Sequence, residues 1–345
     1  MANRRGRRKR DHDDHLPAAR QRLRIPRRGH GQAAAAGPRR SLLPGEQRHV
    51  RDRSKQRNGH AAHDVSAVAH ANGVAGGASG DPGALRLITI PISHYCEKAR
   101  WALERCGLPY REQRHVQGIH RIAARRAGGG QTVPVLVTPE GVIGESQQIL
   151  QWVDQRMPQE DRLFPIEPHA RAEVLALCRR FDEQLGPRGR RLMYVHMLSQ
   201  RELALAYNND GVPRWEDRAI RRGWPLAAGF IRRELGIVPG IEAEDEAAVF
   251  GELDHVAGLL ADGRAYLCGE RFGAADLTFA ALSAAVLVPP QYGVPLPQPE
   301  VMAAPTAALV RRARTHPAGQ YALGLFARHR VAPATAARSA ERLGS

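Results

Sequence analysis

Hydrophobic positions along the chain follow two different periods. Leu85-Arg86-Leu87-Ile88-Thr89-Ile90 is a short apolar and β-branched run stopped by Pro91, which predicts a buried strand. Just beyond it, Ala99, Ala102, Leu103 and Cys106 fall at i, i+3, i+4 and i+7, one face of a helix that Gly107 and Pro109 end. Tyr110 to His115 alternates weakly and reads as a second strand, and Ile119 to Arg126 as a short helix closed by Gly128-Gly129-Gly130. Val133 to Val137 and Val142-Ile143 flank Pro139-Glu140-Gly141, two apolar runs across a turn of three to four residues, hence a hairpin. Ser146 is a good N-cap for a further helix, in which Ile149, Leu150, Val153 and Met157 share a face before Pro158. The predicted order is βαβαββα.

After a Pro-containing linker from Pro158 to Pro168 the period is helical throughout. Val174, Leu177, Cys178, Phe181 and Leu185 form one stripe, and Phe250, Leu253, Val256, Ala257 and Leu260 another. Pro289 to Pro299 reads as a surface loop, and the Ala-rich end after Arg330 as frayed.

Neither period is present in residues 1–84, which are mostly Arg, Ala, Gly, His and Asp, and this predicts a disordered basic tail. The tail changes how the overall charge of +16 is read. It holds 18 Lys and Arg against 7 Asp and Glu, a net of +11, which leaves +5 for the other 261 residues. Arg4 to Arg10 would suit a nucleic-acid arm, but no aromatics interleave to stack on bases, so any nucleic-acid partner is expected through the tail alone. An upstream start, with translation beginning near residue 80, is the other reading of the change in composition at Asp81-Pro82-Gly83. No run approaches the ~20 apolar residues that span a bilayer, and the acids near the start argue against a transit peptide, so a cytoplasmic location without membrane partners is expected. Cys96, Cys106, Cys178 and Cys268 lack zinc-site spacing, so no metal is expected and the thiols are read as reduced.

Three fragments occur in a telling order: Pro91 to Tyr110 (PISHYCEKARWALERCGLPY), Thr132 to Leu136 (TVPVL), and Gly144-Glu145-Ser146. Together, within βαβαββα and ahead of a helical half, they resemble the glutathione transferases. The resemblance implies a thioredoxin-like α/β domain over 85–160 and an all-helical domain over 168–330, behind the tail of 1–84. It also implies glutathione as co-substrate, a small electrophile as second substrate, and a homodimer. Val133, ahead of a cis-proline at Pro134, would offer its backbone to the cysteinyl part of glutathione, while Glu145 and Ser146 would hold its γ-glutamyl end. A helix start independently favours a carboxylate, through free N–H groups and the positive dipole end, and a neighbouring Glu can take an ammonium. The plain alternative for Glu145 and Ser146 is a helix cap.

Ser93-His94-Tyr95-Cys96 stands where thioredoxin-type proteins carry Cys-x-x-Cys, with Ser in the leading place. By resemblance to the serine-type transferases, the Ser93 hydroxyl would hold the glutathione sulfur as thiolate. A thiol of pKa about 8.5 is only about 3% ionised at pH 7, and lowering that pKa by about two units needs roughly 2.7 kcal/mol. One hydrogen bond to a charged group supplies about 1.5 to 3 kcal/mol and a helix N-terminus about 0.3 to 1, so the two together suffice. Ser93 as a mere cap is the alternative.

Cys96 is the competing catalytic candidate, in the first turn of the same helix, and would favour thiol exchange. By resemblance it is the shielded member of the pair. His94 departs from the proline common at this place and could tune the site near neutral pH. His120 and Arg121 lie where relatives place a group for the glycyl carboxylate. Asp276 is read as structural, in a capping box left incomplete by Gly273. The stretch 186–240, with Tyr194, Tyr207, Trp215, Trp224 and Phe230, is expected to include the second-substrate wall without singling out its residues. The predicted function is glutathione transfer to an electrophile. The alternatives are thiol exchange through Cys96, and a non-catalytic binding or scaffold protein.

Overall fold

The computed structural model describes residues 85–330, so the basic tail and the Ala-rich end lie outside the described residues. Four strands form one sheet in the order β2-β1-β3-β4, where β1 is Leu85–Thr89, β2 Tyr110–Arg114, β3 Val135–Thr138 and β4 Gly141–Ile143. β1 runs parallel to β2 and antiparallel to β3, which pairs with β4 as a hairpin. Buried between two neighbours, β1 is apolar almost throughout, with Leu87 and Ile88 sealed from solvent. β2 is an edge strand, YREQR, which accounts for its weak alternation. The hairpin loop is tighter than its sequence suggests. Thr138 pairs with Gly141, so Pro139 and Glu140 alone make the turn, and Thr138 Oγ1 accepts from the Gly141 N–H at 3.1 Å.

Helices α1 (His94–Arg105), α2 (His120–Arg126) and α3 (Ser146–Asp154) complete the βαβαββα order. The cap of α3 shifts by one residue: Glu145 holds the N-cap position without a side-chain bond, and Ser146 is the buried first residue of the helix. The linker that follows is pinned, because Asp154 Oδ1 accepts from the Leu163 and Phe164 N–H groups at 2.6 and 3.1 Å.

Then come α4 (Pro168–Arg180), α5 (Gly186–Met197), α6 (Arg201–Asn208), α7 (Arg214–Arg222), α8 (Trp224–Glu234), α9 (Ile241–Leu259), α10 (Ala274–Leu287), α11 (Ala304–Thr315) and α12 (Pro317–His329). This mixed sheet followed by a helical region is the thioredoxin-like and all-α architecture that the resemblance implies. α10 is buried all round and forms the axis of a core shared with the first half, in which Trp101 of α1 meets Phe326 of α12 at 4.7 Å between rings. At its start Asp276 accepts from the Gly273 and Leu267 N–H groups, both at 2.8 Å. Gly273 has no side chain to return the bond, so the box is half made.

The run Pro289 to Pro299 is not a surface loop. Tyr292 and Val294 are buried, Tyr292 donates to the Ile92 carbonyl at 3.0 Å, and the Gly293 N–H reaches Glu97 at 3.1 Å. Its prolines signalled irregular backbone correctly, but irregular backbone can be buried when its polar groups find partners.

Candidate functional site

The first turn of α1 is set by a defect in the helix opposite. α4 runs into α5 through one wide π turn, Phe181–Leu185. Pro187 has no N–H to give and its ring crowds the carbonyl four residues back, so the ladder slips and the Gly186 N–H bonds to Phe181. The Asp182 carbonyl is thereby released, and Tyr95 donates to it at 2.8 Å. Only glycine fits at 186, since a Cβ there would lie 2.2 Å from the Tyr95 hydroxyl. The Asp182 carboxylate takes buried Lys98 at 2.9 Å, and Lys98 also donates to Gln147 of α3 at 2.7 Å. Thus α1, α3 and α5 are locked together at the N-terminal end of α1.

Beside this lock lies a cavity of about 290 Å³. The first half contributes Ser93, His94, Gln117, His120, Arg121 and the Gln131-Thr132-Val133 stretch. Opposite stand Arg190, Met193, Tyr194 and Met197 of α5, with Val288, Tyr292 and Leu296 beyond α10. Tyr207, Asn208, Glu234 and Leu235, from α6 and the end of α8, complete the wall.

Ser93 and Val133, from separate fragments of sequence, line this one cavity. Ser93 is the N-cap of α1, its Oγ accepting from the Cys96 N–H at a long 3.4 Å, so the hydroxyl is only lightly held. The Val133-Pro134 bond is cis, with Pro134 buried behind Val133. Glu145 and Ser146 do not line the cavity; they start α3 beside the first turn of α1, with Glu145 exposed. Cys96 does not line it either. It is sealed in the core, and burial pushes its thiol up to about 11, more than Arg100 and the Ser93 hydrogen bond pull it down.

Residues 87–161 match the family model for the N-terminal domain of glutathione S-transferases. Over these residues the chain is similar to that family. The solved structures similar to this chain include a glutathione S-transferase of Ceriporiopsis subvermispora in complex with glutathione, 20% identical, covering 73% of this chain and 100% of that one, with a TM-score of 0.49. A glutathione S-transferase of Sinorhizobium meliloti is 17% identical over 73% of this chain and 97% of that one, with a TM-score of 0.46. A β-etherase of Sphingobium is 19% identical over 70% and 98%, with a TM-score of 0.42. No curated protein matches the chain.

Around the cavity the electrostatics are specific. Burial holds His94 down at about 3, helped by the Arg190 cation and opposed by a bond to the Gly186 backbone, so its ring is neutral and does not titrate near pH 7. Burial likewise lowers His120 to about 4, and its Nδ1 accepts from the Gly118 N–H at 3.0 Å. Arg121 is paired with Glu234 and lies 5.4 Å from the Phe230 ring. Tyr95 is turned away into its bond with Asp182, and burial raises its hydroxyl's pKa further. Sequence reasoning missed Arg190, Met193, Met197 and Leu235. Among the aromatics it named, Tyr194 and Tyr207 line the cavity and Trp215 is exposed. Helical spacing cannot tell a core position from a cavity wall, and no signal in one sequence would have separated them.

Proposed function

We propose that the protein is a glutathione-dependent transferase. Glutathione lies against the domain 85–160, its cysteinyl backbone on Val133 beside Pro134 and its γ-glutamyl end at Glu145 and Ser146, where α3 begins. The Ser93 hydroxyl and the start of α1 hold the sulfur as thiolate. The electrophile enters from the α5 side, within the helical domain 168–330. The sulfur lone pair forms a carbon–sulfur bond while the displaced group leaves with its electron pair, the thiol proton having gone to solvent. The supporting observation is that Ser93 and Val133 share one cavity with the apolar wall of Met193, Tyr194 and Met197. A cytoplasmic homodimer is the assembly we expect of it.

Thiol exchange through Cys96 is the weaker reading, because a nucleophile must reach solvent as thiolate and Cys96 is sealed with its pKa raised. Calorimetric titration of the full chain with glutathione, with thiolate absorbance followed against pH, tests the assignment. Wild type and Cys96→Ala should bind and show a thiolate near pH 7. Ser93→Ala should raise the thiolate midpoint by about one to two pH units. Loss of the signal in Cys96→Ala alone would transfer the chemistry to Cys96. Absence of binding at millimolar glutathione would leave a non-catalytic binding protein.

A further inference from the structure

The cavity charges do not balance. Arg121 and Glu234 pair with each other, and His94 and His120 are neutral. That leaves Arg190, which makes no hydrogen bond or ion pair with any described residue and whose Nε is buried without a partner. Its guanidinium stands 6.0 Å from the centre of the Tyr95 ring. His94 lines the same cavity, is buried, and keeps its Nε2 unpartnered as well. Arg190 is half-buried, with Nε sealed and its terminal nitrogens not among the sealed unpartnered atoms, so a bound anion would replace water on a guanidinium that no carboxylate holds. The surrounding side chains, Met193, Tyr194, Met197, Tyr207 and Leu296, offer polarisable and aromatic faces suited to a flat apolar body.

We propose that the second substrate is a flat, apolar electrophile bearing one carboxylate, with Arg190 as the anchor of that carboxylate. The class rests on the glutathione reading for its chemistry, whereas the anion site does not depend on it. One guanidinium neutralises one charge; a dianion would bring a second one into the same apolar wall uncompensated.

The test is calorimetric titration of the full chain with dinitrobenzoate and with its methyl ester, neither of which carries a leaving group, each with and without glutathione. Wild type should bind the carboxylate about tenfold or more tighter than the ester. Arg190→Met should bring that preference to within about twofold, and Arg190→Lys should keep part of it. Arg190→Gln, which retains a donor without the charge, gives the same comparison if Arg190→Met does not fold. Equal affinities in wild type, or a preference that survives in Arg190→Met, overturns the proposal. So does a preference that stays while the thiolate midpoint rises in Arg190→Met, since Arg190 would then serve the sulfur. If the preference follows Arg190 but glutathione does not bind, the anion site stands and the glutathione reading alone fails.

Discussion

At His94 burial decides the protonation state. A ring that an unfolded chain would protonate below about pH 6.5 is held neutral in the fold down to about 3, with Arg190 adding to the effect and the Gly186 backbone opposing it. The unfolded chain therefore binds more protons than the folded one between those values. The contribution to stability is complete above about pH 6.5 and is lost as the pH falls towards 3. Urea unfolding at a series of pH values should show stability declining from about pH 6.5 downward, and His94→Gln should make that decline shallower, leaving the share of His120, which burial holds at about 4. An unchanged slope in His94→Gln would mean that the ring is hydrated. The sequence showed His94 as a departure from a common proline but could not show its burial, because burial depends on α5 arriving from some ninety residues away. The places of Ser93 at the start of α1 and of Val133 before a cis-proline were legible, since short local motifs set them. Cys96 was legible as a candidate, and its sealing in the core was not.

The same limit appears in α1 as an element. Its apolar stripe of Ala99, Ala102, Leu103 and Cys106 predicted a helix with one buried face, yet Glu97, Lys98 and Arg100 are buried as well. Charged positions in a helical period are read as facing solvent. Here each is paired: Arg100 Nε donates to Glu112 at 2.8 Å and its terminal nitrogen to the Pro91 carbonyl at 2.9 Å, while Lys98 meets Asp182. Glu97 receives Arg330 Nε at 2.7 Å, and Arg330 also pairs with Glu104. The residue after α12 thus fastens the end of the helical half to the first helix of the sheet half. Breaking a buried pair by deleting one partner costs about 3 to 5 kcal/mol, because the other charge is left uncompensated. Arg330→Met should lower the thermal midpoint by about 10 °C. A shift of only about a degree would show that Glu97 is satisfied by Arg100 and the Gly293 N–H alone.

For the whole molecule, the βαβαββα order and the helical half were legible because both rest on runs of apolar residues. α8 packs Ala228 and Ile231 on Tyr194 and Leu198, but the docking of this segment on the edge of the sheet was not legible, because charge makes the contacts there. Glu216 of α7 is fully buried; its carboxylate accepts from the Val116 N–H at 2.9 Å and from His115 Nδ1 at 2.7 Å. Arg114 reaches Asp210 at 2.7 Å, and Arg121 reaches Glu234. Meanwhile the outward side of the segment shows Trp215 and Leu226 to solvent, the reverse of what an amphipathic reading expects. Glu216→Ala leaves the Val116 N–H buried and unpaired, at a cost of about 1 to 3 kcal/mol. The loss should be local: hydrogen exchange should quicken about tenfold or more across residues 201–235 and at 110–116, while α10 and α12 keep their protection. Glu216→Gln retains an oxygen for Val116 and should sit between the two. Uniform acceleration along the chain would mean that the segment has no independent opening and that the cavity wall formed by Tyr207, Asn208, Glu234 and Leu235 is as fixed as the core behind it. A confined change would make that wall the adjustable side of the site, with Ser93 and Val133 on the fixed side.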